Sequence, residues 1–454
     1  MPSTLRRELT LVSATALVVS NMIGTGIFTT TGFLAGDLGR PSLVLGIWLV
    51  GAFVAVAGCL AYAELGINFP RSGGEYVYLR EAWGPAWGFL SGWVSFFAGF
   101  SAPIAAGALA FSEYLSHFVP SLSVSAPAER MGDPFRWLHL GPGHVVAVGV
   151  IALFALVNIL GLRLAARLQN VLTSLKLGVL GIFLVLAFSI GQGHWGNLAL
   201  QATRTSPHGM GAQFAVSLIF VMFAYSGWNA ATYVAEEMKT PERTLPVALL
   251  TGTTIVALFY CALNVAFLYA VPLEALKGVV AVGATSAQGL FGKGIGNLFS
   301  GIMALSILSC VSAMMVVGPR VYYAMAQDGC FFAAAGHVHD RWHTPAQAIL
   351  FQAAASAVMA LTGTFEKLIY YIGFALILFA AMATAGVLRM RRRPGWKKLQ
   401  IISWYYPVAP LLFVLVSLWM LSYTLFLRPT ESLLGLLTVA CGGLLYQWKF
   451  KKKS

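Results

Sequence analysis

Gly24-Thr25-Gly26-Ile27-Phe28 and Tyr225-Ser226-Gly227-Trp228-Asn229 stand about two hundred residues apart, each in the middle of a long apolar segment. Segments of that length and composition cross a membrane as helices. In hydrocarbon a helix satisfies its own backbone hydrogen bonds, so a glycine-rich break at mid-depth leaves N–H and C=O groups that something polar must satisfy. Two such breaks in corresponding segments point to a solute site halfway through the bilayer.

The rest of the chain is as apolar as this reading needs. Of 454 residues, 10% are charged and 58% hydrophobic, and the mean hydropathy is +0.77. No soluble domain of this size has such a composition. Spans are predicted at about 9–35, 43–69, 84–118, 143–162, 168–190, 212–236, 245–270, 296–326, 346–363, 366–388, 403–426 and 431–448, giving an all-α polytopic membrane protein with twelve transmembrane helices. Several exceed the ~20 residues of a straight span, so they are expected to tilt, break or project into water.

Basic residues orient these spans. With the amino terminus inside, the inner stretches hold Arg6, Arg7, Arg71, Arg80, Arg163, Arg167, Lys239, Arg243, Arg320 and Arg341, the cluster from Arg389 to Lys398, and the tail from Lys449 to Lys453. The outer loops hold only Arg40, Arg130, Arg136, Arg204, Lys277, Lys293, Lys367 and Arg428. This excess places both termini in the cytoplasm, in a plasma (inner) cell membrane. It also accounts for the net charge of +13 as a match to anionic headgroups of the lipid bilayer, with no reason to expect nucleic acid. The first apolar stretch is too long for a signal peptide, and none is expected.

The breaks lie in spans 1 and 6. An odd repeat length reverses the second unit in the membrane, so spans 1–5 (about 9–190) and 6–10 (about 212–388) form a 5+5 inverted repeat within a core over 1–390. Residues 391–454 add two helices and a basic tail. Cys59, Cys261, Cys310, Cys330 and Cys441 lie in or beside apolar segments without C-x-x-C spacing, and read as small packing residues. No cofactor is expected. His337, His339 and His343 belong to a connecting loop and are not assigned to a metal.

Six motifs in order carry a family resemblance: Asn21-Met22-Ile23-Gly24-Thr25-Gly26-Ile27-Phe28; Ala61-Tyr62-Ala63-Glu64-Leu65-Gly66; Pro70-Arg71-Ser72-Gly73-Gly74-Glu75-Tyr76; Phe223-Ala224-Tyr225-Ser226-Gly227-Trp228-Asn229; Glu236-Glu237 with Pro241-Glu242-Arg243-Thr244-Leu245-Pro246; and Arg320-Val321-Tyr322-Tyr323-Ala324-Met325-Ala326-Gln327-Asp328-Gly329. Together they resemble the amino acid-polyamine-organocation superfamily and, within it, the L-type amino acid transporter family, across the first ten spans. The resemblance implies a leucine-transporter-like fold with helices 1 and 6 broken.

The chemistry of the breaks agrees. Where span 1 resumes, the N–H groups of Thr25, Gly26 and Ile27 form the positive end of a helix and suit a carboxylate. The carbonyls around Met22, Ile23, Phe223, Ala224 and Ser226 suit an ammonium. One ligand class, a zwitterionic α-amino acid, matches both, and Gly24, Gly26 and Gly227 let the backbone approach it. The other reading of the Gly-x-Gly step is packing of small residues between helices.

Around the breaks, Phe223 resembles the aromatic gate that closes over substrate in this family, and Trp228 reads as structural. Asn229 has two open roles, holding substrate or holding unwound backbone. Ser226 occupies a position where relatives that take cationic amino acids can carry an acid, and resembles the transporters of small neutral amino acids.

Lys176, in Leu172-Thr173-Ser174-Leu175-Lys176-Leu177-Gly178, is the basic residue deep within an apolar span. An ammonium stranded there costs about 2.5–3.5 kcal/mol on insertion scales, so it is a functional candidate by default. The resemblance implies that it occupies the place of the sodium ion of sodium-coupled relatives, with a carbonyl near Gly24 and the hydroxyl of Ser309 or Ser312 as partners. Snorkelling to the headgroups is the alternative. Glu64, Glu236 and Glu237 read as inner-gate carboxylates paired with Arg71 or Arg243.

Intramembrane enzymes would need pairs such as H-E-x-x-H or G-x-S-x-G, which do not occur, and a channel would need a continuous polar stripe. The expectation is therefore a sodium-independent alternating-access carrier of neutral, small α-amino acids that works by exchange. Its site would lie between spans 1, 3, 6, 8 and 10, with spans 1, 2, 6 and 7 rocking against 3, 4, 8 and 9. The alternative is a proton-coupled carrier, or a cationic amino acid or polyamine carrier. Animal relatives join a glycoprotein through a cysteine between helices 3 and 4; the stretch 119–142 has none, so no disulfide-linked heavy chain is expected.

Overall fold

The computed structural model describes residues 9–71, 73–116, 118–124, 140–363 and 365–450. Arg6, Arg7, Ser72 of the third motif, Arg130, Arg136, most of the 119–142 stretch and the tail from Lys451 lie outside the described residues. Those described are helical almost throughout, with an isolated bridge between Leu9 and Met238.

Thr10 caps α1 (Leu11–Met22) by accepting the Ser13 N–H at 3.3 Å. The helix stops where Ile23 turns extended (φ −73°, ψ 96°), and α2 (Thr25–Leu38) starts two residues later, after Gly24. Gly39, in the left-handed region at φ 67°, ends α2 in the way that favours glycine. Pro41 opens α3 (Pro41–Asn68), where its missing N–H costs nothing. The short α4 (Glu75–Trp83) is bounded by Gly74 and Gly84, both at positive φ. In α5 (Pro85–Leu115) a wide π turn over Ser95–Ser101 precedes Pro103, which has no N–H to donate and crowds the preceding turn.

The chain continues through α6 (Pro142–Ile159), α7 (Leu162–Ser189) and α8 (Met210–Tyr225). A turn at Ser226–Asn229 leads to a 3-10 stretch, Ala230–Glu237, and then to α9 (Pro241–Ala270). The remaining long helices are α10 (Val282–Gln327), α11 (Ala346–Thr362), α12 (Phe365–Met390), α13 (Val408–Leu427) and α14 (Pro429–Leu445).

Among the described residues ten segments are long and apolar enough to cross a membrane, and α11 is a shorter apolar helix. The connection at 271–295, read as an outer loop, is instead helical from Val282. It runs into the span expected at 296–326 across a kink at Gly292 (φ 75°, ψ 176°), and the two helical pieces together make up α10. The non-helical Gly292 separates two helices that abut at the kink, so the short polar helix before it reads as a loop.

Helices α1, α3 and α9 pack together, α10 packs on α5 and α7, and α2 lies against α8. Large apolar side chains that face outward include Val185 of α7, Leu415 and Phe426 of α13 and Leu437 of α14. They suit a lipid-facing surface. At one end of the bundle Asp328 takes a hydrogen bond from Tyr76 at 2.8 Å and an ion pair from Arg80, while Arg320 holds Glu237 at 2.8 Å. These pairs tie α4, α10 and the end of the 3-10 stretch.

Candidate functional site

The two breaks meet because three glycines let them. A Cβ added to Gly26 would stand 2.4 Å from Ala224 Cα, and one on Gly24 would stand 2.6 Å from Cys310 Sγ. Gly227, at φ 94°, brings its Cα side against the Asn21 backbone, where a Cβ would meet the Asn21 carbonyl carbon at 2.8 Å. The start of α2 therefore lies directly on the end of α8.

No side chain caps α2, whose N-cap is Gly24. Such an uncapped first turn leaves the N–H groups around Thr25, Gly26 and Ile27 without helical partners, at the positive end of a 14-residue helix. The carbonyls at the ends of α1 and α8 lie beside them, and several have internal donors. Tyr260 Oη lies 2.5 Å from Met22 O and 2.8 Å from Ala224 O, so one hydroxyl bridges both breaks. Phe223 O accepts the Ser226 N–H at 3.0 Å. Lys176 Nζ donates to Ile23 O and, at 3.2 Å, to Ser20 O. A carbonyl has two lone pairs, so these bonds leave room for a further donor.

Two adjoining cavities border the breaks. The larger is walled by Asn21, Phe223, Ser226, Gly227, Trp228 and Asn229, with Phe100, Tyr233, Met314, Leu376 and Phe413 opposite, and reaches Glu75. The smaller is walled by Met22, Gly24, Thr25, Gly26, Cys310 and Val311, and shares Asn21, Phe223, Ser226 and Met314 with the first. Ile23, Ile27 and Ala224 line neither cavity and are fully or nearly buried.

Lys176 is fully buried, with its ammonium on the carbonyls that end α1. The expected carbonyl partner beside Gly24 is there, as Ile23. Neither expected hydroxyl bonds the ammonium: Ser309 accepts from Gln169 Nε2 at 3.3 Å, and buried Ser312 Oγ has no partner among the described residues. Gln169 and Thr173 stand one turn apart on the same face of α7, and the Gln169 amide bonds both the Thr173 hydroxyl at 3.2 Å and Ser309 of α10.

The pairing expected for the inner carboxylates differs. Glu64 receives the Trp396 indole N–H at 2.7 Å and lies 2.9 Å from Arg391 Nε, while Glu237 pairs with Arg320. Arg71 stands 3.7 Å from Asp328 instead. Glu236 is exposed. Partners so distant in sequence leave no periodic signal; only the packing of helix ends selects them. His339 stacks on Trp342 with centroids 4.3 Å apart.

Asn229 turns its amide to a carboxylate: Nδ2 donates to Glu75 Oε1 at 2.9 Å and to Tyr233 Oη at 3.3 Å. Tyr62 Oη donates to the same Glu75 oxygen at 2.6 Å. Glu75, Tyr62 and Tyr260 are site residues to which the sequence assigned no role. For Glu75 and Tyr62 a signal existed, since both stand in the motifs quoted above; Tyr260 stands in none of them. Trp228 packs edge-on to Tyr62 at 4.6 Å and to Phe413 at 6.0 Å, a structural position at the cavity's edge.

Against known proteins, residues 9–438 match the family model described as amino acid permease. The chain is 31% identical to the serine/threonine exchanger of Bacillus subtilis, over 99% of this chain and 98% of that protein. It is 30% identical to the human large neutral amino acids transporter small subunit 2, over 99% of this chain and 82% of that one. With the mouse Asc-type amino acid transporter 1 it shares 30% identity over 90% of this chain and 75% of the relative.

Proposed function

The chain belongs to the amino acid permease family, and we propose that it is a sodium-independent, alternating-access exchanger of neutral α-amino acids. One observation carries this reading: the uncapped start of α2 and the carbonyl ends of α1 and α8 meet at adjoining cavities. A zwitterion supplies a carboxylate for the first and an ammonium for the second, which no purely cationic or anionic solute does. Ser226, shared by both cavities, and the absence of an acid within either break favour small neutral side chains. The activities named for the relatives, large neutral amino acid transport and serine/threonine exchange, support the substrate class and the exchange mode.

Sodium independence rests on Lys176, whose ammonium holds the carbonyl end of α1 where a coupling cation would bind. Phe223 serves as the gate, and Glu64 belongs to the inner gate. Residues 1–390 form the inverted-repeat core, and 391–454 add two helices. The twelve spans are the ten long apolar helices with α11 and α14. Both termini are cytoplasmic in a plasma membrane, and the chain works as a single polypeptide, because 119–142 offers no cysteine to a partner.

Counterflow in proteoliposomes against the twenty unlabelled amino acids tests this. Strong competition by serine, alanine, threonine and other neutral amino acids is expected. Competition led by lysine, arginine or polyamines, or ion conductance in place of saturable flux, refutes the reading.

A further inference from the structure

Glu75 is a buried carboxylate at the wall of the larger cavity, at the start of α4 and outside the membrane-spanning helices. Its Oε1 accepts from Tyr62 of α3 and Asn229 beyond the break. The titratable groups that face it are tyrosines: Tyr62 from α3, Tyr78 from its own helix and Tyr233 from the 3-10 stretch, with Tyr322 of α10 behind Tyr233. The neighbouring cations are committed elsewhere, Arg80 to Asp328, Arg320 to Glu237 and Arg391 to Glu64. From α5, α12 and α13 the cavity receives apolar groups, Phe100, Leu376 and Phe413.

We propose that Glu75 is a titratable wall of the substrate cavity, and that its charge sets both the pH range of exchange and the side-chain charge the cavity accepts. The proposal rests on the transport reading above. An ionised carboxylate among neutral donors is tolerable while water fills the cavity. Closing the cavity over a neutral amino acid expels that water and raises the cost of the charge. The loaded, closed state therefore binds a proton on the Glu75 carboxylate and returns it to water when the cavity opens, with no net proton movement in one-for-one exchange. A cationic side chain relieves the ionised form directly. Burial pushes the Glu75 pKa up to about 7, against the pull of the hydrogen bonds from Tyr62 and Asn229, so the group titrates where the protein works.

The test is the pH profile of serine counterflow in the wild type, Glu75→Gln and Tyr62→Phe. Wild-type exchange is expected to fall severalfold from about pH 6 to about pH 8, as the protonated fraction falls. Glu75→Gln, which keeps an oxygen acceptor without the charge, shows a rate that does not change with pH across the range, whatever its absolute value. Lysine competes better at alkaline pH in the wild type and loses that advantage in Glu75→Gln. Tyr62→Phe removes a donor that favours the ionised form, so its midpoint moves to higher pH. A flat wild-type profile, an unchanged slope in Glu75→Gln, or an unmoved midpoint in Tyr62→Phe overturns the proposal. If Glu75→Gln does not exchange, the Tyr62→Phe midpoint decides. An infrared titration reads Glu75 without transport: a protonated-carboxyl band should fall to half near pH 7 and be missing from Glu75→Gln. Wild-type protein that keeps this band but exchanges nothing strikes the transport reading alone.

Discussion

The Tyr260 hydroxyl lies 2.5 Å from the carbonyl of Met22, and the same oxygen reaches the carbonyl of Ala224 at 2.8 Å. One side chain from α9 thus fixes the spacing of the two helix ends that border the cavities. Tyr260→Phe removes the hydroxyl from two buried carbonyls, which costs about 1–3 kcal/mol of stability. Apparent affinity for substrate should fall with it, roughly tenfold for each 1.4 kcal/mol lost at the site. Thermal unfolding with and without substrate, set beside counterflow, checks both effects.

Gly26 tests the close approach. A Cβ there would strike Ala224 Cα, part of the backbone, which has no flexible end to yield. Gly26→Ala should cost about 1–3 kcal/mol as overpacking and abolish substrate-induced thermal stabilisation. Gly149→Ala, in α6 with open space around it, is the control and should match the wild type. Equal behaviour of the two variants would show that the helices part easily at the break.

Much of this arrangement was legible because lipid allows so few backbone solutions. Span positions follow from apolar length, and the breaks at Gly24–Gly26 and Ser226–Gly227 stand out because glycine steps recur at corresponding places in two spans. Lys176 stood out for the same reason, as an isolated charge. What remained hidden depended on which helix ends meet. Tyr260 is one tyrosine among many until α9 packs beside both breaks. Glu64 finds Arg391, not Arg71, because the chain after α12 folds over the end of α3. Glu75 was visible in its motif, yet nothing in sequence said that Asn229 would turn towards it.

Ser226→Asp should convert the preference of the cavity. A carboxylate at the wall attracts a cationic side chain across a low-dielectric space and is poorly solvated without one. Lysine and arginine are expected to become competitors while neutral substrates weaken. An unchanged ranking of competitors would mean that position 226 does not face the side chain.

Lys176→Ala should slow exchange far more than it weakens binding. The ammonium ties α7 to the carbonyls of Ser20 and Ile23, whereas α2 presents its N–H groups without it. Single-turnover exchange and equilibrium binding separate the two effects. Wild-type values for both would leave Lys176 a packing residue.

One polypeptide is expected to exchange neutral amino acids without sodium. The most direct measurement is uptake of labelled serine into sodium-free proteoliposomes holding only this purified chain, with and without unlabelled serine inside. Uptake that depends on internal amino acid, unaffected by sodium, is the predicted result; uptake that needs sodium or a second protein, or that ignores internal amino acid, would contradict it.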